Sequence, residues 1–282
     1  AAVEALGDAH ASQYPVAELR DRLADYERRV ASQARGQLDP AAEATRGLLA
    51  ELPRMRREML VDLHPLLRGA EIVFVKRYTY NSKHYYDDFQ HISAWGGNLC
   101  ALSLADGRVR ELVPQLAGGV FDRYDLSFDA RRIVFGYRRP QREGFRLYEL
   151  DIDSGELRQV TAPPPDEERR IARYGRTSFG DAFYGLLGYQ FWTDDVHPCY
   201  LPDGGISFAS TRSEHGVLCT PAHYLACTNL YRLDADGGGL RPLSHGALSE
   251  FSPTLMEDGR ILYNRWEYVY KGIAAAHPLW IM

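Results

Sequence analysis

Two periodicities divide the chain. From Pro15 onward the apolar positions Val16, Leu19, Leu23, Tyr26 and Val30 recur every three or four residues, with Arg, Asp and Glu filling the other faces. That spacing lines one side of an amphipathic helix. Gly36 is placed to end the helix, and Asp39-Pro40 restarts one as N-cap and first helical residue. A second run carries Leu48, Leu49, Leu52, Met55, Met59 and Leu63, with Pro53 predicting a kink or a break. Residues 15–36 and 40–66 thus read as a helical hairpin, and 1–69 as a helical segment. Short helices are marginal alone, so the Leu19–Val30 seam is expected to be covered by the following domain or by another chain.

From Glu71 the pattern changes to strands, beginning with Glu71-Ile72-Val73-Phe74-Val75, and a unit recurs. Its first half is a strand, a turn and a β-rich strand, as in Leu126–Ala130 with Ile133-Val134-Phe135, Tyr200–Gly204 with Ile206-Ser207-Phe208, and Leu255–Gly259 with Ile261-Leu262-Tyr263. Its second half is a strand followed by an Asp-Gly type of turn, at Asp106-Gly107, at Asp151 with Gly155, and at Asp236-Gly237. Leu99, Leu147, Leu230 and Leu279 hold the same place in the unit and are 48, 83 and 49 residues apart. A base period near 48, broken by one insertion of about 35, predicts the four-stranded blades of a β-propeller. The insertion falls at 163–194, with Pro163-Pro164-Pro165, a short helical stretch at Asp166–Arg173 and an aromatic run from Tyr184 to Trp192. The blades occupy 70–282: one begins at residue 71, two are complete, and a fourth stops mid-unit at Met282. Propellers close with roughly four to eight blades, so the chain is expected to be part of a longer polypeptide.

Composition narrows the function classes. The 282 residues are 45% hydrophobic and 12% aromatic, enough for a sizeable core and against disorder. No apolar run reaches the length of a membrane span. The net charge of −5 argues against a nucleic-acid partner, which needs a basic footprint. Four cysteines are too few for a disulfide scaffold, and without a CxxCH motif no c-type haem attaches within this chain. The first residues show no secretory signal, which fits either a cytoplasmic protein or a mature exported chain. No Gly-x-Ser-x-Gly elbow, Walker loop or dinucleotide fingerprint is present.

Several stretches depart from generic blades: Tyr78–Phe89, Gly96–Cys100, Asp125–Asp129, His197–Ile206, Ser210-Thr211-Arg212 and Tyr263–Tyr268. Together they resemble the hydrazine synthase alpha-subunit-like family, over about residues 15–282. The resemblance implies a TolB-like propeller extended by further domains, an exported (periplasmic or secreted) protein, and partner domains or subunits in a larger assembly. It implies either a propeller scaffold that binds a ligand or a metal- or haem-dependent redox enzyme of nitrogen metabolism. In the second case an N–N bond-forming oxidoreductase would complete its active site with domains beyond residue 282. CxxCH motifs in that later sequence would separate the two.

Three constellations carry candidate chemistry. Alignment of the repeats puts Arg123, His197 and Ser252 at one equivalent position, where their side chains would line the axial channel, with Asp194, Asp195 and Glu250 making its entrance acidic. Cys219, His223 and Cys227 share a hairpin and supply S and N donors of the kind zinc accepts, although the same two cysteines can close a small disulfide or remain thiols. The loop from His84 to His91 gathers His84, Asp87, Asp88 and His91, a set suited to metal or acid–base work. Blades repeat in one orientation, so this loop, His197 and the Cys219–Cys227 hairpin are expected to converge on one face.

Overall fold

The computed structural model describes residues 1–33, 39–80, 88–90, 92, 94–140, 143–174, 192–216, 226–267 and 276–282. Two compact units divide it: residues 1–74 with 100–110, and residues 75–99 with 111–282. No helix among the described residues is long and apolar enough to cross a membrane.

The first unit is built on three helices, α1 (Ala2–Ala9), α2 (Val16–Gln33) and α3 (Glu43–Arg57), the last running into a wide turn at Glu58–Asp62. Leu19 is fully buried in a core with Val3, Tyr14, Met55 and Met59, and Leu23 and Tyr26 pack against it. The seam of α2 is therefore covered inside its own unit, by α1 and α3. Helix α1 adds the third wall that the two-helix reading lacked. It comes close enough that a Cβ at Gly7 would sit 2.6 Å from Val16 Cγ2. Pro53 lies inside α3, which continues through it. The end proposed for the first helix at Gly36 lies outside the described residues. Arg22 meets Glu58 through two hydrogen bonds of 2.8 and 2.7 Å, and the Tyr14 hydroxyl donates to the Met59 carbonyl at 2.7 Å.

Among the described residues four antiparallel sheets follow one another along the chain, the first of them shared between the two units. The first sheet holds β1 (Glu71–Arg77), β2 (Gly97–Ser103) and β3 (Val109–Glu111). The second holds β4 (Val120–Leu126), β5 (Arg132–Arg138), β6 (Arg146–Asp151) and β7 (Leu157–Gln159). The third holds β8 (Asp195–Tyr200), β9 (Ile206–Ser210), β10 (Asn229–Leu233) and β11 (Arg241–Pro242). The fourth holds β12 (Glu250–Leu255), β13 (Ile261–Arg265) and β14 (Leu279–Ile281). Each sheet is a simple meander, which is how a propeller blade is made. The first strands of the last three sheets are neighbours, β4 beside β8 and β8 beside β12.

Side chains of successive blades interlock to form the cores. Val134 and Leu147 pack on Tyr200, Ile206, Phe208 and Tyr231 of the next sheet. A second cluster joins Val120, Phe145, Val196, Leu230, Phe251, Tyr263 and Trp266 with Phe89 and Trp192. The described part of the insertion contains α4 (Glu167–Tyr174), held by a buried ion pair. Arg146 Nη2 donates to both oxygens of Glu167 at 2.9 and 3.1 Å, and the Thr193 N–H donates to Glu167 Oε1 at 2.8 Å.

Candidate functional site

The three neighbouring first strands share one irregularity. Pairing of β4 with β5 steps from Phe121–Tyr137 to Tyr124–Phe135, that of β8 with β9 from Val196–Ala209 to Cys199–Ser207, and that of β12 with β13 from Phe251–Asn264 to Thr254–Leu262. In each case two residues face one, which defines a β-bulge. The paired residues are Asp122-Arg123, His197-Pro198 and Ser252-Pro253. Proline suits the second place in two of them, because a bulge leaves a backbone donor out of the ladder. His197 and Ser252 adopt the left-handed region, at φ 53° and 56°. The register aligns Asp122 with His197 and Ser252, so Arg123 is displaced one residue from the equivalence expected of it.

A chain of hydrogen bonds crosses the blades at this level. The His197 N–H donates to Asp122 Oδ2 at 3.0 Å, and the Ser252 N–H donates to His197 Nδ1 at 3.3 Å. The Asp122 and His197 side chains thus each accept the backbone donor of the next bulge. Arg123 Nη1 then donates to Ser252 Oγ at 2.6 Å, linking the third blade back to the first of the three. Asp122 Oδ1 accepts the Tyr80 hydroxyl at 3.2 Å. Asp122 fits there because its partner across the strand is glycine: a Cβ on Gly136 would lie 2.9 Å from Asp122 Cβ.

With Nδ1 accepting, the imidazole carries its proton on Nε2, 3.6 Å from Asp122 Oδ2. That distance is too long for a hydrogen bond. Burial dominates: it lowers the His197 pKa to about 4 despite the Asp122 charge, and Arg123 and Arg77 push the same way. The ring is therefore neutral at physiological pH. Burial opposes ionisation of Asp122, but His197 and the backbone donors outweigh it and hold the carboxyl below its usual range. Burial pushes the Cys199 thiol up to about 12, so it remains a thiol and is no activated nucleophile.

Residues 123–125, 197–199 and 252–254 line a cavity of about 320 Å³. A second cavity, of about 570 Å³, shares Arg123 and Tyr124 with it and is closed on the other side by Val75, Arg77 and Thr79. Both volumes suit a small ligand. Arg123, His197 and Ser252 are thus brought together. Asp195 and Glu250 are not among the residues lining these two cavities. The Asp195 carboxylate is held within its own blade by Arg212, at 3.0 and 2.6 Å, and by Ser210 at 2.7 Å. Glu250 is buried and accepts from Ser244 and Asn229. Asp194 accepts the Phe145 N–H at 2.8 Å, and burial raises its pKa to about 6.

Of the candidate metal ligands, Cys219, His223, His84 and Asp87 lie outside the described residues. Asp88 opens a single helical turn, Asp88–Gln90. Cys227 carries a free, buried thiol whose pKa burial pushes up to about 12. The flanks of the two loops do meet. Gln90 Nε2 donates to the Ala226 carbonyl at 2.7 Å, and Phe89 shares a core with Cys227 and stands edge-on to the His197 ring at 6.3 Å. The sequence reading missed Tyr80, Arg77 and Asp122, three side chains in or beside these cavities. Only the aromatic–charged clustering around Tyr78–Tyr80 hinted at them.

No protein-family model matches this sequence, and no curated protein matches it. Solved structures do resemble it. Hydrazine synthase from Kuenenia stuttgartiensis matches with a TM-score of 0.51 at 15% identity, over 76% of this chain and 30% of that one. TolB from Acinetobacter baumannii matches with a TM-score of 0.45 at 12% identity, over 86% of this chain and 46% of that one. The chain spans less than half the length of either. The likeness to the hydrazine synthase establishes a shared fold and no shared activity.

Proposed function

We propose that this chain is the propeller scaffold of a larger protein and that it binds a small polar ligand where the bulged strands β4, β8 and β12 meet. The observation that carries this reading is the cavity of about 320 Å³ lined by the three bulges and the residues that follow them. Bulges re-aim side chains and are over-represented beside binding sites. Here three of them direct an arginine, a neutral histidine and a serine into one space. Thermal-shift screening of neutral and charged polar metabolites tests it, beside a Thr254→Phe variant that fills the cavity from an exposed position. At least one compound is expected to stabilise the native chain and to lose that effect on the variant. Equal stabilisation of both would overturn the reading.

The finer reading places the scaffold in an exported assembly of the hydrazine synthase alpha type. The motifs from Tyr78 to Tyr268 and the shared fold support it. An absorption spectrum of the full-length protein tests it, a c-type haem signature being expected. Its absence would leave the ligand-binding scaffold standing alone.

A further inference from the structure

Arginines in these blades are mostly neutralised. Arg132, Arg146, Arg158, Arg212, Arg232 and Arg260 each meet a carboxylate within 3.5 Å. Arg77 and Arg123 differ, with no ion pair among the described residues. Arg77 stacks its guanidinium 3.8 Å from the Tyr80 ring centroid and donates once, to the Tyr78 carbonyl at 3.0 Å. Arg123 donates once, to Ser252 Oγ. A guanidinium has five N–H donors in a planar fork, so each keeps most of its hydrogen-bonding capacity.

Both groups line the cavity of about 570 Å³, one from each wall. Strand periodicity puts Val75 and Arg77 on one face of β1, because alternate residues share a face, and Thr79 follows just beyond the strand. The opposite wall is Asp122, Arg123 and Tyr124, at the β4 bulge. One carboxylate, Asp122, lines this cavity and another, Asp125, lines the adjoining one, and both accept protein donors. Asp122 accepts from Tyr80 and the His197 N–H, and Asp125 Oδ2 accepts the Tyr200 N–H at 2.8 Å. The space between the walls therefore offers unused, charged donors. The ordering of Arg77 by Tyr80, and of Arg123 by Ser252, reduces the entropy lost when a ligand binds.

We infer that the Arg77–Arg123 cavity binds the oxyanion of a small molecule, a carboxylate or a phosphate, gripped between the two guanidinium groups. The inference extends the ligand-binding reading above to the adjoining cavity, which shares Arg123 and Tyr124 with the first. Planar forks match both anions in the bidentate manner that makes these hydrogen bonds strong. His197, neutral, adds no charge of its own, so the positive potential comes from the two arginines and exceeds the single charge of Asp122.

Isothermal titration of the whole chain with inorganic phosphate, with malonate and with a neutral sugar of similar size tests this, on the native protein and on Arg77→Gln and Arg123→Gln. Saturable binding of phosphate or malonate is expected, weakened at least tenfold by either substitution and weakened by added sodium chloride. The preferred anion of the two identifies the source of the charge. Circular dichroism of the variants is expected to match the native chain, since neither arginine holds a carboxylate in place. Binding of the sugar without either anion would overturn the inference and leave the ligand-binding reading intact. Silence toward all three would overturn the inference and leave the ligand-binding reading to its own screen. Anion binding that survives both substitutions would place the anion elsewhere and overturn the inference.

Discussion

Ala130 occupies a position where its two repeats carry glycine. The turns Ser127–Ala130, Leu201–Gly204 and Met256–Gly259 close with the same backbone hydrogen bond, at 2.8, 2.9 and 3.0 Å. Gly204 and Gly259 have φ of 82° and 87°, and Ala130 is forced to 57°. The left-handed region costs an L-residue roughly 1–2 kcal/mol, while glycine loses about 0.5–1 kcal/mol more backbone entropy on folding. The first effect is the larger, and Ala130 is exposed, so no packing is lost. Ala130→Gly is expected to stabilise the chain by about 0.5–1 kcal/mol in urea denaturation. A destabilised variant would show that the turn tolerates alanine at no cost. This position was legible only in hindsight. The repeat marks Asp129-Ala130 as a turn, but the strain needs the backbone angle. The same holds for His197 and Ser252, whose left-handed φ values no glycine advertises.

At the level of elements, strands and turns were readable and bulges were not. Alternation and Asp-Gly turns locate β5, β6, β9, β10 and β13, because each has one period and a turn that requires positive φ. A bulge inserts one residue without changing composition, which is why Arg123 was matched to His197 when the ladder matches Asp122. The partners of Asp195 and Glu250 also escaped notice, since Arg212 lies 17 positions away and Asn229 lies 21 positions away. The helix α4 was legible by composition, but its anchor was not. Arg146 and Glu167 are both nearly buried and neutralise one another. Removing one member of such a pair leaves an uncompensated charge, at a cost on the order of 3 kcal/mol. Glu167→Gln is therefore expected to lower the urea midpoint clearly. The conservative Glu167→Asp, which keeps the charge, is expected to recover part of the loss. An unchanged midpoint in Glu167→Gln would mean that α4 is held by other contacts.

On the scale of the whole molecule, two buried groups respond to acid in opposite directions. Burial lowers the pKa of His197 from 6.5 to about 4. Between those values the unfolded chain takes up a proton that the folded chain refuses. This contribution to stability is complete above pH 6.5 and is lost as the pH falls toward 4. Burial raises the pKa of Asp194 from 3.8 to about 6. Between those values the folded chain holds a proton that the unfolded chain has released. That contribution is complete below pH 3.8 and is lost as the pH rises through 6. The two proton balances oppose one another over most of the same window, so together they leave the native chain nearly indifferent to pH there. Single substitutions should expose each in turn. Asp194→Asn keeps an acceptor for the Phe145 N–H, and its stability is expected to fall by a few kcal/mol as the pH drops from about 6.5 to 4. His197→Asn offers an oxygen in place of Nδ1 to the Ser252 N–H and tolerates positive φ, and its stability is expected to rise over the same interval. Urea denaturation of the three proteins at about pH 4.5, 5.5 and 6.5 decides it. Three parallel profiles would mean that neither group keeps its buried protonation state in the fold, and the neutral histidine assigned to the bulge site would fall with them.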